Sequence, residues 1–333
     1  MKALAAGAML AMAWPATASE PLIRPAEWQA WREAFVAIDG RVVDTGNGGV
    51  SHSEGQGYGM LLAVLADQPG DFAAIWGFTR AELLIRDDGL AAWRWEPGAT
   101  PPVTDLNAAS DGDILIAYAL DLAADAWGDP GHAEAAQDLA TAIGKGLVAD
   151  DRGRPILLPG PEGFSAADRP DGPVVNLSYW VFEAFPTLAR LDPGADWPRI
   201  GAEGLRLVEE TRLGARGLPP DWLSLPRGRP AEGFPPEYGY NALRLPLYLV
   251  RAGLGSRALL DRLRAPPIVD LAGGEDTVLE DAGYRAIPAI VACKLDGTPL
   301  PAELASFAPT DYYPSTLHLL VLAEARREMP QCL

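Results

Sequence analysis

Helical segments in which apolar and amphipathic patterns alternate dominate the sequence. Residues 25–38 place Trp28, Trp31 and Phe35 at three- and four-residue steps, which is typical of an amphipathic helix. Residues 114–127 carry few charges on any face, so this helix is predicted to be buried. About twelve such segments follow one another, and strand patterns are sparse.

Buried and half-exposed helices alternate in this order without sequence identity between the pairs, which predicts an α-solenoid or a closed α/α toroid. No linker or change of composition divides the chain, so we expect one domain over residues 19–333. If the buried helices run in the same direction, the loops before them converge on one face. The predicted helices are 25–38, one that begins near Glu54, 72–85, 114–127, 130–145, 178–191, 197–213, 240–252, 257–264, 281–293, 301–307 and 313–329.

The first eighteen residues have the pattern of a signal peptide. One early lysine is followed by an apolar run over residues 3–14 and then by Ala16-Thr17-Ala18, which predicts cleavage before Ser19. The apolar run is far shorter than the roughly 20 residues that span a bilayer, so a membrane anchor is disfavoured. We therefore expect export, to the periplasm or the medium.

Charge and composition exclude several function classes. A formal net charge of -18 argues against nucleic acid or an anionic membrane surface as a partner. The three histidines show no metal-ligand spacing, and no glycine-rich phosphate loop precedes a helix. Nothing in the sequence indicates a metal or organic cofactor. Cys293 and Cys332 either pair or remain free thiols, and the sequence leaves both open.

Residues 51–60 set one carboxylate, Glu54, among small and polar residues just before an apolar helix. Three glycines in this stretch let the backbone or a flat ligand come close. A carboxyl group at the mouth of a buried helix is poorly solvated and holds its proton more tightly, as a general acid near neutral pH requires. The alternative is a helix N-terminus in which Ser53 is the cap and Glu54 favours the helix dipole.

Two further carboxylates, Asp111 and Asp113, lie at the start of another buried helix, with Ser110 as a plausible cap. Satisfaction of the helix dipole is again the alternative. Two or more carboxylates on one wall of a cleft are the minimal apparatus for glycoside hydrolysis, in which one gives a proton and the other activates water.

The ten tryptophans are a high count, and four of them lie in predicted loops or at helix starts, namely Trp93, Trp95, Trp180 and Trp222. Flat aromatic faces beside acidic groups suit the apolar faces of pyranose rings. Core packing remains the default for any single tryptophan.

Several stretches, taken together, resemble glycoside hydrolase family 8. SEGQGYGMLLA at residues 53–63 and ASDGDILIAYAL at 109–120 are similar to the two most specific motifs of the family. The further matches are AWRW at 92–95, NLSYWVF at 176–182, PPDW at 219–222, GYNALRLPLYL at 239–249 and DYYPS at 311–315. The matches follow the family order over nearly the whole chain after residue 18. Within the family, the resemblance is to the periplasmic endoglucanases of bacterial cellulose synthesis.

The resemblance implies an all-α (α/α)6 barrel of about twelve helices that hydrolyses internal β-1,4-glucosidic bonds with inversion and needs no cofactor. It implies Glu54 as the general acid and Asp111 as a residue that holds the sugar at the cleavage point. The substrate is then a β-1,4-glucan such as cellulose, with the cellulose synthase machinery as a candidate partner. The substrate-binding residues implied by position are Trp93, Trp95, Tyr179, Tyr240 and Arg244.

One departure from the family pattern concerns the base. The position that usually carries an aspartate base is Asn241 here, and an amide can orient a water molecule but does not take its proton at physiological pH. Three explanations stay open: relocation of the base to Glu237 or Asp221, a slow enzyme in which Asn241 only positions water, or loss of hydrolysis with glucan binding retained. Related family members cut chitosan, xylan or mixed-linkage glucan, but the resemblance is closer to the cellulose-associated branch.

Overall fold

The computed structural model describes residues 20–264 and 268–333, so the predicted signal peptide lies outside the described residues. Eleven α-helices lie within these two ranges. They are α1 (Pro25–Phe35), α2 (Ser53–Leu65), α3 (Pro69–Phe78), α4 (Ser110–Trp127), α5 (Pro130–Gly146), α6 (Phe185–Leu191), α7 (Trp197–Glu210), α8 (Leu245–Arg251), α9 (Arg257–Leu263), α10 (Ala282–Asp296) and α11 (Tyr312–Glu328). None of these helices is long and apolar enough to cross a bilayer.

Six of the helices form a closed inner ring. Contacts run from α2 to α4, α6, α8, α10 and α11 and back to α2, with α6 and α8 joined through a 3-10 turn at Phe182–Ala184. The other five helices alternate with them along the chain and have exposed faces, so they lie outside. The predicted (α/α)6 barrel is therefore confirmed.

The predicted helix over residues 301–307 does not form, and turns occupy the sixth outer place. A segment this short cannot offset the cost of helix nucleation on its own. Pro299, Pro301 and Pro309 also restrict the backbone on both sides. Leu304 is nevertheless buried, and its carbonyl oxygen accepts a hydrogen bond from Nε2 of His318 on α11 at 2.7 Å, so the segment still covers the inner ring.

Two inner helices are shorter than the sequence predicts. The 178–191 and 240–252 segments begin as 3-10 turns, and their α-helices start only at Phe185 and Leu245. Pro186 and Pro246 follow directly and fit the first helical turn, where a missing N–H costs nothing. The extra turns at these helix starts carry residues into the barrel mouth.

Close packing through glycine sets the first turns of α2 and α4 side by side. A Cβ atom on Gly112 would lie 2.1 Å from the Ser53 Oγ and 2.7 Å from the Glu54 backbone nitrogen. One on Gly57 would lie 2.6 Å from the Leu115 Cβ. The Glu54–Gly112 and Gly57–Leu115 contacts have the same offset along the chain, so the two helices run in the same direction and the loops that precede them meet at one end of the barrel.

Short antiparallel ladders line the loops at the rim. They are β1 (Ser51–His52) with β2 (Arg94–Trp95), β3 (Val148–Asp151) with β4 (Arg154–Leu157), β5 (Val174–Val175) with β6 (Leu223–Ser224), β6 with β7 (Arg229–Pro230), and β8 (Glu237–Tyr238) with β9 (Val269–Asp270). Cys293 on α10 is bonded to Cys332, with 6.1 Å between the two Cα atoms, which answers the question the sequence left open.

A buried ion pair lies toward the opposite end of the barrel. Arg251, the last residue of α8, donates two hydrogen bonds to the carboxylate of Glu183, at 2.6 and 2.7 Å. Both side chains are 3% exposed. A bidentate pair of this kind satisfies both charges within the protein.

Candidate active site

A buried arginine joins the two sequence motifs at the mouth of the barrel. Nη1 of Arg244 lies 3.0 Å from Oε1 of Glu54, and Nη2 lies 2.6 Å from Oδ2 of Asp111. The side chains of Arg244 and Asp111 are each 1% exposed, whereas that of Glu54 is 19% exposed and reaches the cavity. The sequence thus predicted all three members of this cluster, and the structure brings them into contact.

His52, and not Ser53, caps the helix that carries Glu54. Nδ1 of His52 accepts a hydrogen bond from the Gly55 backbone N–H at 2.9 Å. Its Nε2 lies 3.2 Å from Oδ2 of Asp44, so this nitrogen carries the proton in the neutral ring. The expected cap was wrong because Ser53 is fully buried against α4, where Gly112 leaves room for its hydroxyl.

Burial raises the pKa of Asp111 to about 7, in spite of the opposing effect of Arg244, and Glu54 raises it further. A second hydrogen bond, from the Gly112 N–H at 2.9 Å, also favours the ionised form. The carboxyl group of Asp111 therefore changes charge near neutral pH. Burial opposes the charge of Arg244, but Glu54 and the surrounding tyrosines raise its pKa well above its usual value, so it remains charged.

Asp113 does not join this cluster. Its Oδ1 accepts a hydrogen bond from the Ala91 backbone N–H at 2.8 Å, and the residue is fully buried. Burial raises the pKa of Asp113 well above its usual value. Of the two carboxylates predicted at the start of α4, Asp111 contacts Arg244 and Asp113 holds the loop that leads to Trp93.

Asn241 lines the same cavity as Glu54 and Arg244. Its Nδ2 lies 3.2 Å from Oδ2 of Asp221, which also accepts the Asn241 backbone N–H at 3.3 Å. Asp221 is 5% exposed, and its other oxygen accepts the backbone N–H groups of Gly239 and Ala242, both at 2.8 Å. The position at which the family pattern places a base is thus an amide with a buried carboxylate behind it.

Neither residue considered as a relocated base lines this cavity. Glu237 lies in β8, opposite Asp270 of β9, and burial raises its pKa, helped by Asp221 and Asp270. Asp221 lies beneath Asn241 with both oxygens engaged in hydrogen bonds to the protein.

The cavity that holds Glu54 has a volume of about 580 Å³ and a wall rich in tyrosine. Tyr240, one of the predicted substrate-binding residues, lines this cavity and is 49% exposed. The Tyr313 hydroxyl donates to the Tyr240 backbone carbonyl at 2.8 Å, and the Tyr284 ring lies 6.0 Å from the Tyr240 ring. Three aspartates also line this wall, namely Asp44, Asp281 and Asp311.

A second cavity of about 260 Å³ contains Trp93 and Tyr179. The Tyr179 ring centre lies 5.6 Å from the guanidinium carbon of Arg244, so this cavity comes close to the charged cluster. The two cavities together are called the channel here, and aromatic side chains line both of them. The Trp93 indole N–H donates to Asp105 at 2.8 Å, which fixes the ring at its rim.

The other three tryptophans have different surroundings. Trp180 lies between two 3-10 turns, as predicted, but it is fully buried and its indole nitrogen donates to the Ile200 carbonyl at 3.2 Å, so it packs in the core. Trp95 packs against Phe78 and lies outside both cavities. Trp222 borders the smaller cavity and stacks with both Phe164 and Phe234, at centroid distances of 5.5 and 4.5 Å.

A third cavity, of about 620 Å³, lies toward the opposite end of the barrel and is mostly apolar. Its charged members include Glu183 and Arg251, which satisfy each other. Within residues 20–264 and 268–333, no three side chains of His, Cys, Asp or Glu are grouped as a metal site would require. The channel at the barrel mouth is therefore the candidate active site.

This barrel, with an acid, an arginine and a second carboxylate at its mouth, has the architecture of a carbohydrate-cleaving enzyme. The model of glycosyl hydrolases family 8 matches residues 1–265, and the chain belongs to that family. A probable endoglucanase of Novacetimonas hansenii is 36% identical over 312 residues, which is 89% of this chain and 89% of that protein.

Solved structures give the same result for the fold. The endo-beta-1,4-glucanase CMCax of Acetobacter xylinum superposes with a TM-score of 0.81 at 33% identity, covering 94% of this chain and all of that one. Endoglucanase Cel10 of Klebsiella pneumoniae, a family 8 glycosyl hydrolase, gives a TM-score of 0.81 at 33% identity over 90% of this chain and 99% of that one.

Proposed function

We propose that this protein is an endo-acting β-1,4-glucanase that cleaves cellulose chains with inversion at the anomeric carbon. The single observation that carries the proposal is the Glu54–Arg244–Asp111 cluster, which faces Asn241 in a channel with aromatic walls. Aromatic side chains in both cavities beside the cluster offer faces for several sugar units of one chain. The names of the relatives support the same substrate class.

Glu54 is the proposed general acid. Among the three members of the cluster its carboxyl is the most exposed, so it can reach the oxygen of a glycosidic bond in the channel. Its proton passes to that oxygen as the bond to the anomeric carbon breaks. Asp111 and Arg244 then hold hydroxyl groups of the sugar at the cleavage point, as charged acceptor and donor.

Asn241 is the proposed holder of the attacking water. An amide oxygen accepts a hydrogen bond from that water without taking its proton. The water oxygen bonds to the anomeric carbon, and the proton is lost to solvent afterwards. Since general base catalysis typically contributes about 10²–10⁴-fold, we expect a slow enzyme.

The decisive experiment measures reducing ends released from carboxymethylcellulose. Glu54→Gln keeps the shape of the side chain and removes its transferable proton, so we expect a loss of about 10²–10⁴-fold in kcat/KM. Glu33→Gln, on the exposed face of α1, is the matched control and should equal the wild type. Equal activity in Glu54→Gln and the wild type would reject the assignment of the acid.

A second function is favoured by one observation, the amide at position 241. A protein that binds cello-oligosaccharides but releases no reducing ends would be a glucan-binding component of cellulose export. In that case Asn241→Asp should switch hydrolysis on.

The location we propose is the periplasm or the medium, after removal of residues 1–18. The support is the signal-peptide pattern of the sequence and the presence of an internal disulfide, which persists in oxidising compartments. Ser19 as the first residue of the exported protein would agree with this proposal, and retention of Met1 would contradict it.

A further inference from the structure

Asp221 holds Asn241 by its side chain and its backbone together. The two Asp221 oxygens accept four N–H groups, three from the backbone of residues 239–242 and one from Nδ2 of Asn241. No comparable anchor holds Tyr240, whose side chain between these residues stays 49% exposed. Asp221 therefore acts on the orientation of one cleft side chain in particular.

The hydrogen bond at 3.2 Å decides which end of the amide faces the cleft. An ionised carboxylate can only accept hydrogen bonds, so the part of the amide that faces Asp221 must be the NH₂ group. Within the described residues, the bond from Nδ2 to Asp221 is the only hydrogen bond of the Asn241 side chain. Asn241 lines the cavity, so its amide oxygen is the atom that is free to accept a hydrogen bond there. The opposite orientation would place two acceptors against each other at Asp221 and a donor toward the water.

We propose that Asp221 is a positioning residue for hydrolysis, which holds Asn241 with its carbonyl oxygen in the cleft as the acceptor for the attacking water. This inference rests on the proposed function and specifies how its water is held. Asp221 touches neither sugar nor water, since it lies beneath Asn241 and does not line the cavity. It acts only through the amide.

Asp221→Asn tests the inference because it changes the orientation of the Asn241 amide and otherwise removes only the acceptor of the Asn241 backbone N–H, a hydrogen bond of 3.3 Å. The new amide can turn its oxygen to the Gly239 and Ala242 N–H groups, so the turn stays anchored. Its NH₂ group then faces Asn241, which must flip and present a donor to the cleft. We expect kcat to fall by up to about 10²-fold, the cost of a misplaced reactant, with KM and Tm close to the wild type.

The exchange Asp221→Asn/Asn241→Asp is the second variant. It keeps one amide and one carboxylate in hydrogen-bond contact but turns the carboxylate toward the water as a general base. We expect kcat to exceed the wild-type value by about 10²–10⁴-fold. The single Asn241→Asp change should gain less, because two carboxylates in contact cannot both ionise near neutral pH.

Three results separate the outcomes. A wild-type kcat in Asp221→Asn would overturn the positioning role and leave the proposed function intact. The positioning role would also be overturned if Asp221→Asn changed KM, kcat and Tm together and the double exchange had no higher kcat than Asn241→Asp alone. If the wild-type protein shows no hydrolysis, the proposed function is overturned. The kcat of the double exchange compared with that of Asn241→Asp then still tests the contact between positions 221 and 241.

Discussion

Helix α8 has a buried arginine at each end, and their surroundings differ. Arg251 meets one carboxylate, Glu183, through two hydrogen bonds, so the charges balance. Arg244 is shared between Glu54 and Asp111, so two carboxyl groups face one guanidinium and the cluster is unbalanced. Burial raises the pKa of Asp111, and Glu54 raises it further. The Arg251–Glu183 pair satisfies both of its charges within the protein, whereas the unbalanced cluster can still bind the hydroxyl groups of a sugar.

The largest changes in activity and in stability should come from replacing each of the two arginines in turn. Arg244→Met removes the donor shared by the two carboxylates, so we expect kcat/KM to fall by about 10²–10³-fold. Arg251→Met leaves Glu183 buried without a partner, which should lower the free energy of unfolding by about 3–5 kcal/mol while the folded protein keeps its kcat/KM. The carboxymethylcellulose assay and urea unfolding measure the two quantities. An activity loss of the same size in both variants would contradict the distinction.

The separation of α2 and α4 offers a smaller test at the cleft end. Gly112→Ala puts a methyl group 2.1 Å from the Ser53 Oγ, so the helices must separate at the turn that carries Glu54. We expect a loss of about 1–3 kcal/mol in unfolding free energy and of up to about 10²-fold in kcat. Gly77→Ala, in the open part of α3, is the control and should stabilise by about 0.5–1 kcal/mol. Unchanged kcat in Gly112→Ala would show that the helix spacing does not position Glu54.

The smallest effect is the pH dependence of the unbalanced cluster. With the pKa of Asp111 at about 7, kcat/KM should fall about tenfold from pH 8 to pH 6 as this carboxylate takes up a proton. Asp111→Asn should be less active throughout and lack this slope. A wild-type profile that stays level between pH 6 and pH 8 would contradict the prediction.

The same pKa has a consequence for stability. Folding raises the pKa of Asp111 above its value in the unfolded chain, about 3.9, so the folded state binds the proton more tightly. The resulting stabilisation is complete below about pH 4 and is lost as the pH rises through about 7. Urea unfolding of Asp111→Asn should lack this contribution.

Much of this architecture could be predicted from the sequence because its causes are local. Apolar periodicity gave the inner and outer helices, and the motifs gave Glu54, Asp111 and Arg244. The surroundings of the tryptophans could not be predicted from local sequence, since Trp95 and Trp180 contact residues that are distant in the sequence. The helix predicted over 301–307 failed because its residues are held by tertiary contacts and not by their own propensity.

Other parts of the site were not predictable from motifs. The contact between Asp221 and Asn241 joins residues twenty positions apart, and nothing in PPDW or GYNA indicates which end of the amide faces the cleft. His52 was overlooked as a cap because serine, at the next position, is the more usual one. Tyr284 comes from a helix with no resemblance to the family motifs, yet it lines the larger cavity.

Between α10 and α11, turns take the place of a sixth outer helix, so the outer wall of the barrel has a seam there, which is the stretch without a helix. The Cys293–Cys332 bond fastens the end of the chain across that seam, and the Leu300 N–H donates to the Cys332 carbonyl beside it. A covalent link here takes the place of the packing that a whole helix provides elsewhere. In reducing surroundings this corner is where the wall would loosen first.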